Sequence, residues 1–519
     1  MSRMNISLIF DWRIFMRALL VYPEYPLTYW GFQHALKFIN KKAAYPPLGL
    51  LTVAALLPDC WEKRLVDMNT DRLRDKDILW ADYVFISAMA IQRHSASNVI
   101  DRCRKLGIKT VGGGPLFTSD PEDFGHVDHL LLNEGEITVP AFLRDLEEGR
   151  EQHLYTTDQY AELEHSPVPR WDLIKTKKYA SMNIQYSRGC PFSCDFCNIT
   201  ALFGSRPRTK SSGQILRELE AIHASGWRGS VFFVDDNFIC NKKQLLEEIL
   251  PSIKNWMQKR GYPFNFLTEA SINLSDDERL MTMMVEAGFR SVFIGIETPD
   301  ENSLAECKKS QNRNRDLISC IKKIQRYGLE VQGGFIVGFD SDCPSIFNRM
   351  VDFIQESGII SAMVGLLNAP KGTKLYQRLS GEGRITEEFS GDNTGLAMNF
   401  SPKMNKEILI RGYRKIVTTI YSPKHYYNRV LSYLKNSGGL RPKCIVINPV
   451  YILAFFKSII RLGLIGKERF HFWKLFLWSL FRRPMLLPAA IKYSIFGYHF
   501  RKIYESFCNN AGPEFDGDI

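Results

Sequence analysis

No apolar run in the chain reaches the 18 or so residues that a membrane-spanning helix requires, so a helical span is not expected. Paired cysteines are also missing. The eleven cysteines in 519 residues are scattered, which excludes a disulfide scaffold and points to a reducing cytoplasm. There is no G-x-G-x-x-G turn, so a dinucleotide is not indicated. Acid is scarce in one region only. Between Arg441 and Lys502 stand 12 Lys and Arg against one acid, Glu468, a net of +11. The whole chain carries +11, so the remainder is close to neutral. Uniform basicity would suit nucleic acid; a basic segment rich in Trp, Phe and Leu suits a membrane surface. Nucleic acid is therefore not an expected partner, and a peripheral contact with the inner face of the membrane is. Met1 to Phe15 lacks a small-residue cleavage site. Residues 1–15 read as a disordered extension, with Met16 a second candidate start.

What the chain does have is a cysteine triad. Cys190, Cys194 and Cys197 stand in C-x3-C-x2-C spacing, just after an expected strand at 183–186. Thiolates are soft ligands for zinc or iron–sulfur clusters. Structural zinc takes four closed ligands, and no further Cys or His follows until His223. Three cysteines on a four-iron cubane leave one iron open to a substrate or cosubstrate. The competing readings are a zinc knot or three unrelated core cysteines. Ser187, Gly189 and Pro191 supply the tight loop that three converging sulfurs need.

This spacing, with Phe196 directly before the last cysteine, resembles the signature of radical S-adenosylmethionine (SAM) enzymes. The resemblance implies a [4Fe–4S] cluster on Cys190, Cys194 and Cys197 whose open iron chelates SAM. It also implies reductive cleavage of SAM to a 5′-deoxyadenosyl radical that takes a hydrogen atom from substrate.

Upstream, expected strands at 18–22, 64–68, 83–88, 109–111 and 129–132 alternate with helical segments. That alternation predicts a parallel, doubly wound sheet over residues 16–150, with ligands at the carboxyl ends of its strands. Those ends carry Pro23, Met89, Gly112 to Pro115 and Glu134 to Glu136. A domain of this type ahead of the triad resembles the cobalamin-binding domain of the B12-dependent radical SAM class. The resemblance implies cobalamin contacts at Pro47, Met89, Gly113, Gly114, Pro115, Glu134, Gly135 and Glu136. It departs from other cobalamin enzymes in lacking D-x-H-x-x-G, so no histidine is expected below cobalt. His94 reads as a helix surface residue.

Residues 151–180 are polar and read as a linker. Over 181–380, six strand segments at 183–186, 231–235, 264–269, 292–296, 333–337 and 362–367 alternate with helices. They predict a partial (β/α)6 barrel with its chemistry at the strand ends. Asp235, Asp236, Glu269, Glu297, Gly334 and Gly338 lie there. Acids at such tips can accept from an ammonium or a ribose, and glycines let backbone approach a base. By resemblance these residues, with Phe196, are the SAM contacts. Arg206, Arg208 and Lys210 read either as anion ligands or as a solvated loop. Residues 381–519 form a helical, basic and aromatic region, a lid on the barrel or an interfacial surface.

The overall class is α/β. The domain order, with Tyr45 to Leu50, Phe233 to Phe238 and Gly333 to Asp340, resembles the radical SAM subgroup that includes the hopanoid C-2 methylase. This implies a cobalamin-dependent methyltransferase acting on an unactivated carbon of a lipid-like or natural-product molecule. It also implies a flavodoxin- or ferredoxin-like electron donor. A cyclase, oxygenase or rearrangement enzyme with the same cofactors, and a sensor without turnover, are the alternatives.

Overall fold

The computed structural model describes residues 15–436 and 449–509. The expectation for residues 1–14 lies outside them, as do those for 437–448 and 510–519. The described chain separates into two compact units.

The first unit comprises residues up to Glu24 and Gly49–Ala161. Its strands are β1 (Arg17–Tyr22), β2 (Glu62–Asp67), β3 (Tyr83–Ser87), β4 (Lys109–Gly113), β5 (His129–Leu131) and β6 (Leu154–Tyr155). They form one parallel sheet in the order β2-β1-β3-β4-β5-β6. Helices cover both faces of such a sheet, so its inner strands read as continuous apolar runs rather than alternating ones. Ala18, Leu19, Leu20 and Val21 are accordingly all fully buried. Leu19, Val21, Val84, Ile86, Leu116 and Phe117 belong to one core cluster.

The second unit holds Tyr25–Leu48 and Glu162 onward. Its main sheet contains β7 (Ser181–Ile184), β10 (Gly229–Phe233), β11 (Phe264–Glu269), β12 (Phe289–Glu297), β13 (Glu330–Val337) and β14 (Ala362–Leu366). These six parallel strands run in the order β14-β13-β12-β11-β10-β7, an open half-barrel. A short antiparallel pair, β8 (Ser187–Arg188) and β9 (Arg208–Thr209), lies between β7 and β10 in the chain. On β12, Val292, Ile294 and Ile296 are fully buried, while Phe293 and Gly295 on the alternate face are less so.

Two boundaries differ from the sequence expectation. Residues 25–48 pack with the half-barrel, not with the first sheet. Trp30 sits edge-on to Phe293 of β12 and donates to Met363 Sδ of β14. Tyr45 lies against Phe232 of β10, and Asn183 of β7 donates to the Pro46 carbonyl. From the other side Tyr29 stacks on Phe500 and shares a hydroxyl hydrogen bond with Tyr421. The 151–180 stretch is not a free linker either. Its start adds β6 to the first sheet, and from Glu162 it belongs to the second unit.

Beyond the barrel, helices Lys406–Ile420, Pro423–Asn436, Pro449–Ser458, Arg469–Arg482 and Leu487–Asn509 bear out the helical reading of the tail. No helix among the described residues is long and apolar enough to cross a membrane.

Candidate active site

The cysteine loop opens at the carboxyl end of β7, and its backbone is held from every side. At its base, Ser187 and Arg188 pair with Thr209 and Arg208, closing the loop into a ring. Beneath it, Asp235 accepts from the Ser187 amide, the Ser187 hydroxyl (2.7 Å) and the Tyr186 amide (3.3 Å). Its neighbour Asp236 accepts from the Gly189 amide at 3.1 Å. Farther on, the Asp195 amide donates to the Cys307 carbonyl (3.0 Å), and the Asp195 carbonyl accepts from Leu375 (2.8 Å). Gly189 has φ +87°, and a side chain there would meet the carbonyl oxygens of Arg206, Gly204 and Phe203 at about 3 Å. Only glycine serves at such a position.

The three thiols form one electrostatic group. Burial raises Cys190 and Cys194 above the usual thiol range and takes Cys197 to about 12. Each of the three also feels the Lys309 ammonium, which pulls the other way. Gln311 donates to Cys194 Sγ at 3.8 Å. Lys309 is itself largely shielded from water, 2.6 Å from Glu297 Oε1 and 5.8 Å from the Phe196 ring centroid. Burial alone would lower it; Glu297, Cys194 and Cys197 outweigh that and raise it. Among the described residues no three His, Cys, Asp or Glu side chains could hold a single metal ion. Three soft thiols beside a shielded cation fit a larger, anionic iron–sulfur core.

The acids at the strand ends divide into roles that spacing alone does not separate. Asp235 is consumed by the loop backbone, and burial, opposed by three hydrogen bonds from Ser187 and Tyr186, raises it to about 7. Asp236 rises to about 6 through burial. Glu269, at the end of β11, rises to about 8 through burial and the charges of Asp236 and Asp235. Tyr45 stands near enough to feel it, and is itself raised to about 12. Glu297 has φ +65°, at a register shift between β12 and β13 that turns its carboxylate toward Lys309. Asn312 holds this bend by donating to the Gly295 and Ile296 carbonyls. Glu297 and Phe196 thus meet Lys309 beside the cysteines, Glu269 feels its charge, and Asp236 acts on Glu269 and Cys190.

The glycines have packing reasons of their own. A side chain at Gly334 would meet the Phe293 ring at 2.8 Å, and Gly338 has φ +108°. Gly338 and Phe339 donate to Asp342, and Phe339 lies 6.5 Å from Phe196. Of the three cations after the cysteine loop, Lys210 is buried in an ion pair with Glu218 and is not a free anion ligand. The residues that sequence reasoning missed are Lys309, Gln311 and Asn312. Their stretch, Lys308 to Asn312, reads as a solvated polar turn, and only packing shows otherwise.

In the first unit, the strand ends carry the residues expected for cobalamin. Met89 is 43% exposed just past β3, and residues 112–114 offer bare backbone at the end of β4. Gly114 has φ +88°, and a side chain there would strike the Ser87 hydroxyl. Pro115 and Gly135 begin helices that follow β4 and β5, with Glu136 in the first turn of the second. Such an edge fits a broad, flat ligand. Glu134 is buried and accepts from the Ala161 amide, a structural bond. Pro47 belongs to the second unit instead. His94 lies exposed on the helix Arg93–Lys105, hydrogen-bonded to Asn98.

Residues 184–354 match the radical SAM superfamily, residues 39–143 the B12-binding domain, and residues 373–511 a domain of unknown function (DUF4070). The hopanoid C-2 methylase of Rhodopseudomonas palustris is 32% identical over 497 residues, 93% of each chain. The chain belongs to the B12-binding radical SAM family. An uncharacterised methyltransferase of Synechocystis sp. is 39% identical over 506 residues, 96% of this chain and 94% of that one. Among solved structures, the radical SAM methyltransferase TsrM from Kitasatospora setae superposes with a TM-score of 0.61 at 13% identity, covering 95% of this chain and all of that one. The cobalamin-dependent radical enzyme OxsB gives 0.61 at 16%, over 96% and 80%. These structures share the fold. As a member of this family the protein is a radical SAM enzyme whose cofactors are a [4Fe–4S] cluster, SAM and cobalamin.

Proposed function

We propose that the protein is a cobalamin-dependent radical SAM C-methyltransferase acting on an unactivated carbon of a lipid-like or natural-product small molecule. Cys190, Cys194 and Cys197 hold the cluster. When bound, the cluster supplies the electron that cleaves SAM, and cobalamin supplies the methyl group. The chain's own part is positional and electrostatic. Asp235 and Asp236 fix the cysteine loop through its backbone amides, and Lys309 offsets the charge of three thiolates. Phe196, Asp236, Glu269, Glu297, Gly334 and Gly338 are the SAM contacts; Glu269, raised to about 8 by burial and its acidic neighbours, holds its proton at neutral pH and can donate to a ribose or substrate oxygen. Met89, Gly113, Gly114, Pro115, Gly135 and Glu136 face cobalamin at the first sheet's strand ends, with Glu134 shaping that edge. A flavodoxin- or ferredoxin-like protein delivers the electrons.

The observation that carries this reading is the triad itself, three thiols on one clamped loop with a shielded lysine beside them. The test is anaerobic reconstitution with iron, sulfide and cobalamin, then incubation with reductant and SAM labelled in its methyl group. Formation of 5′-deoxyadenosine and transfer of label to a hydrophobic small molecule are expected. Product without label supports cyclisation or oxygenation with the same cofactors, and no 5′-deoxyadenosine at all would falsify the radical reading.

A further inference from the structure

Twelve of the eighteen large apolar side chains that are exposed among the described residues lie between Tyr451 and Met485. They are not scattered. Helix Pro449–Ser458 runs on through a wider turn, Ile459–Leu464, and folds back as helix Arg469–Arg482. The two arms are sealed on their inner side. Phe455 packs on Phe476, Phe472 stacks on Phe476, and Trp473 donates to the Gly463 carbonyl. On Arg469–Arg482 the buried residues are Phe472, Leu475 and Ser479. At 100° per residue, Phe470, Lys474, Leu477 and Phe481 fall on the opposite side, and all four are exposed. Phe470 and Phe481 are 75% and 77% exposed, and Ile465, at the bend, 76%. A helix apolar on both faces buries only one of them against its own fold.

The exposed charge within residues 451–486 is of one sign. Arg461, Lys467, Arg469, Lys474, Arg482 and Arg483 are exposed. The one acid between residues 451 and 486, Glu468, is buried and paired with Arg501 at 2.6 Å. A second copy of the chain would bring like charge against like charge. An anionic surface with an apolar interior matches both features at once, and a lysine within the stripe can keep its ammonium at the interface while its stem lies flat.

We propose that the outer face of the hairpin Tyr451–Met485 docks the protein on an anionic lipid bilayer. Phe470, Leu477 and Phe481 enter the boundary between headgroups and acyl chains, Leu464 and Ile465 follow at the bend, and the flanking cations meet lipid phosphates. The hairpin lies in the interface and does not cross it. This surface shares no residue with the cysteine loop, so it stands or falls separately from the catalytic reading.

The test is flotation of the full chain, loaded with its cofactors, on vesicles of phosphatidylcholine alone or mixed with phosphatidylglycerol. The wild type floats with the mixed vesicles, less so in high salt, and not with phosphatidylcholine alone. Phe470→Ser with Phe481→Ser lowers vesicle affinity by about tenfold or more. Arg482→Glu with Arg483→Glu lowers it separately and leaves the apolar stripe intact. Both pairs keep iron content and circular dichroism unchanged. No flotation on either vesicle, equal flotation on both, binding that neither pair weakens, or a dimer that the phenylalanine pair dissolves overturns the proposal.

Discussion

Lys309 and the buried Glu297 form a close ion pair, Nζ to Oε1 2.6 Å, beside the three cysteines. The pair exists because β12 slips register against β13 and Glu297 takes a left-handed backbone conformation. A side chain at Gly295 would collide with both partners. The ammonium is therefore fixed, and its charge acts on all three thiols.

Lys309→Gln leaves a buried carboxylate without its cation. It is expected to destabilise the second unit by about 3 kcal/mol, read as an earlier denaturant midpoint. In reconstituted protein it also shifts the cluster's midpoint potential to more negative values, because a nearby positive charge favours the reduced core. An unchanged potential in an EPR-monitored titration sinks the electrostatic role.

Gly189→Ala meets two obstacles, a left-handed backbone and three carbonyl oxygens at about 3 Å. Reconstituted iron per chain is expected to fall sharply. Gly226 is the control. It too has positive φ, +81°, but a side chain there meets nothing within 4 Å. Gly226→Ala should cost only about 1 kcal/mol and leave iron loading intact.

Glu269 shapes the pH response of the cofactor-free protein. Burial raises it from 4.5 to about 8. A carboxyl raised on folding contributes stability that is full below its unfolded value and lost as pH rises through its folded one. The loss therefore falls between about pH 4.5 and 8. Glu269→Gln removes this term, so the gap in Tm between pH 6 and pH 9 narrows by about 2–4 °C. A gap that stays the same refutes the assignment.

Asp340 acts with the opposite sign. Burial alone would raise it, but Arg384, Arg378 and Lys403 bring it from 3.8 down to about 2. Arg384 meets it with two bonds, 2.7 and 2.9 Å, and Arg378 with one at 2.9 Å. A carboxyl lowered on folding contributes stability above its unfolded value that is lost as pH falls through its folded one. Acid unfolding between about pH 4 and 2 is expected to be less steep in Asp340→Asn. At pH 7 that variant is less stable by about 2 kcal/mol.

Much of this architecture is written locally. A strand covered on both faces must be an apolar run, so Ala18 to Tyr22 and Tyr83 to Ser87 are recognisable from composition alone. The cysteine spacing is equally local, because one short loop carries all three donors. Trp30 and Tyr45 are different. Nothing near them in the chain says that their segment lies against β10, β12 and β14. Nor does Lys210, in a run with Arg206 and Arg208, announce that it is buried against Glu218.

The amino-acid order by itself determined the alternation of strands and helices, the placing of three cysteines on one short loop and the one-sided charge of the tail. Only tertiary packing decided which charges are withdrawn from water and which apolar side chains are left in it. Lys309 became an electrostatic neighbour of three thiols, and Phe481 an exposed one, because burial depends on what distant segments bring against a residue. Neighbours in the chain do not carry that information.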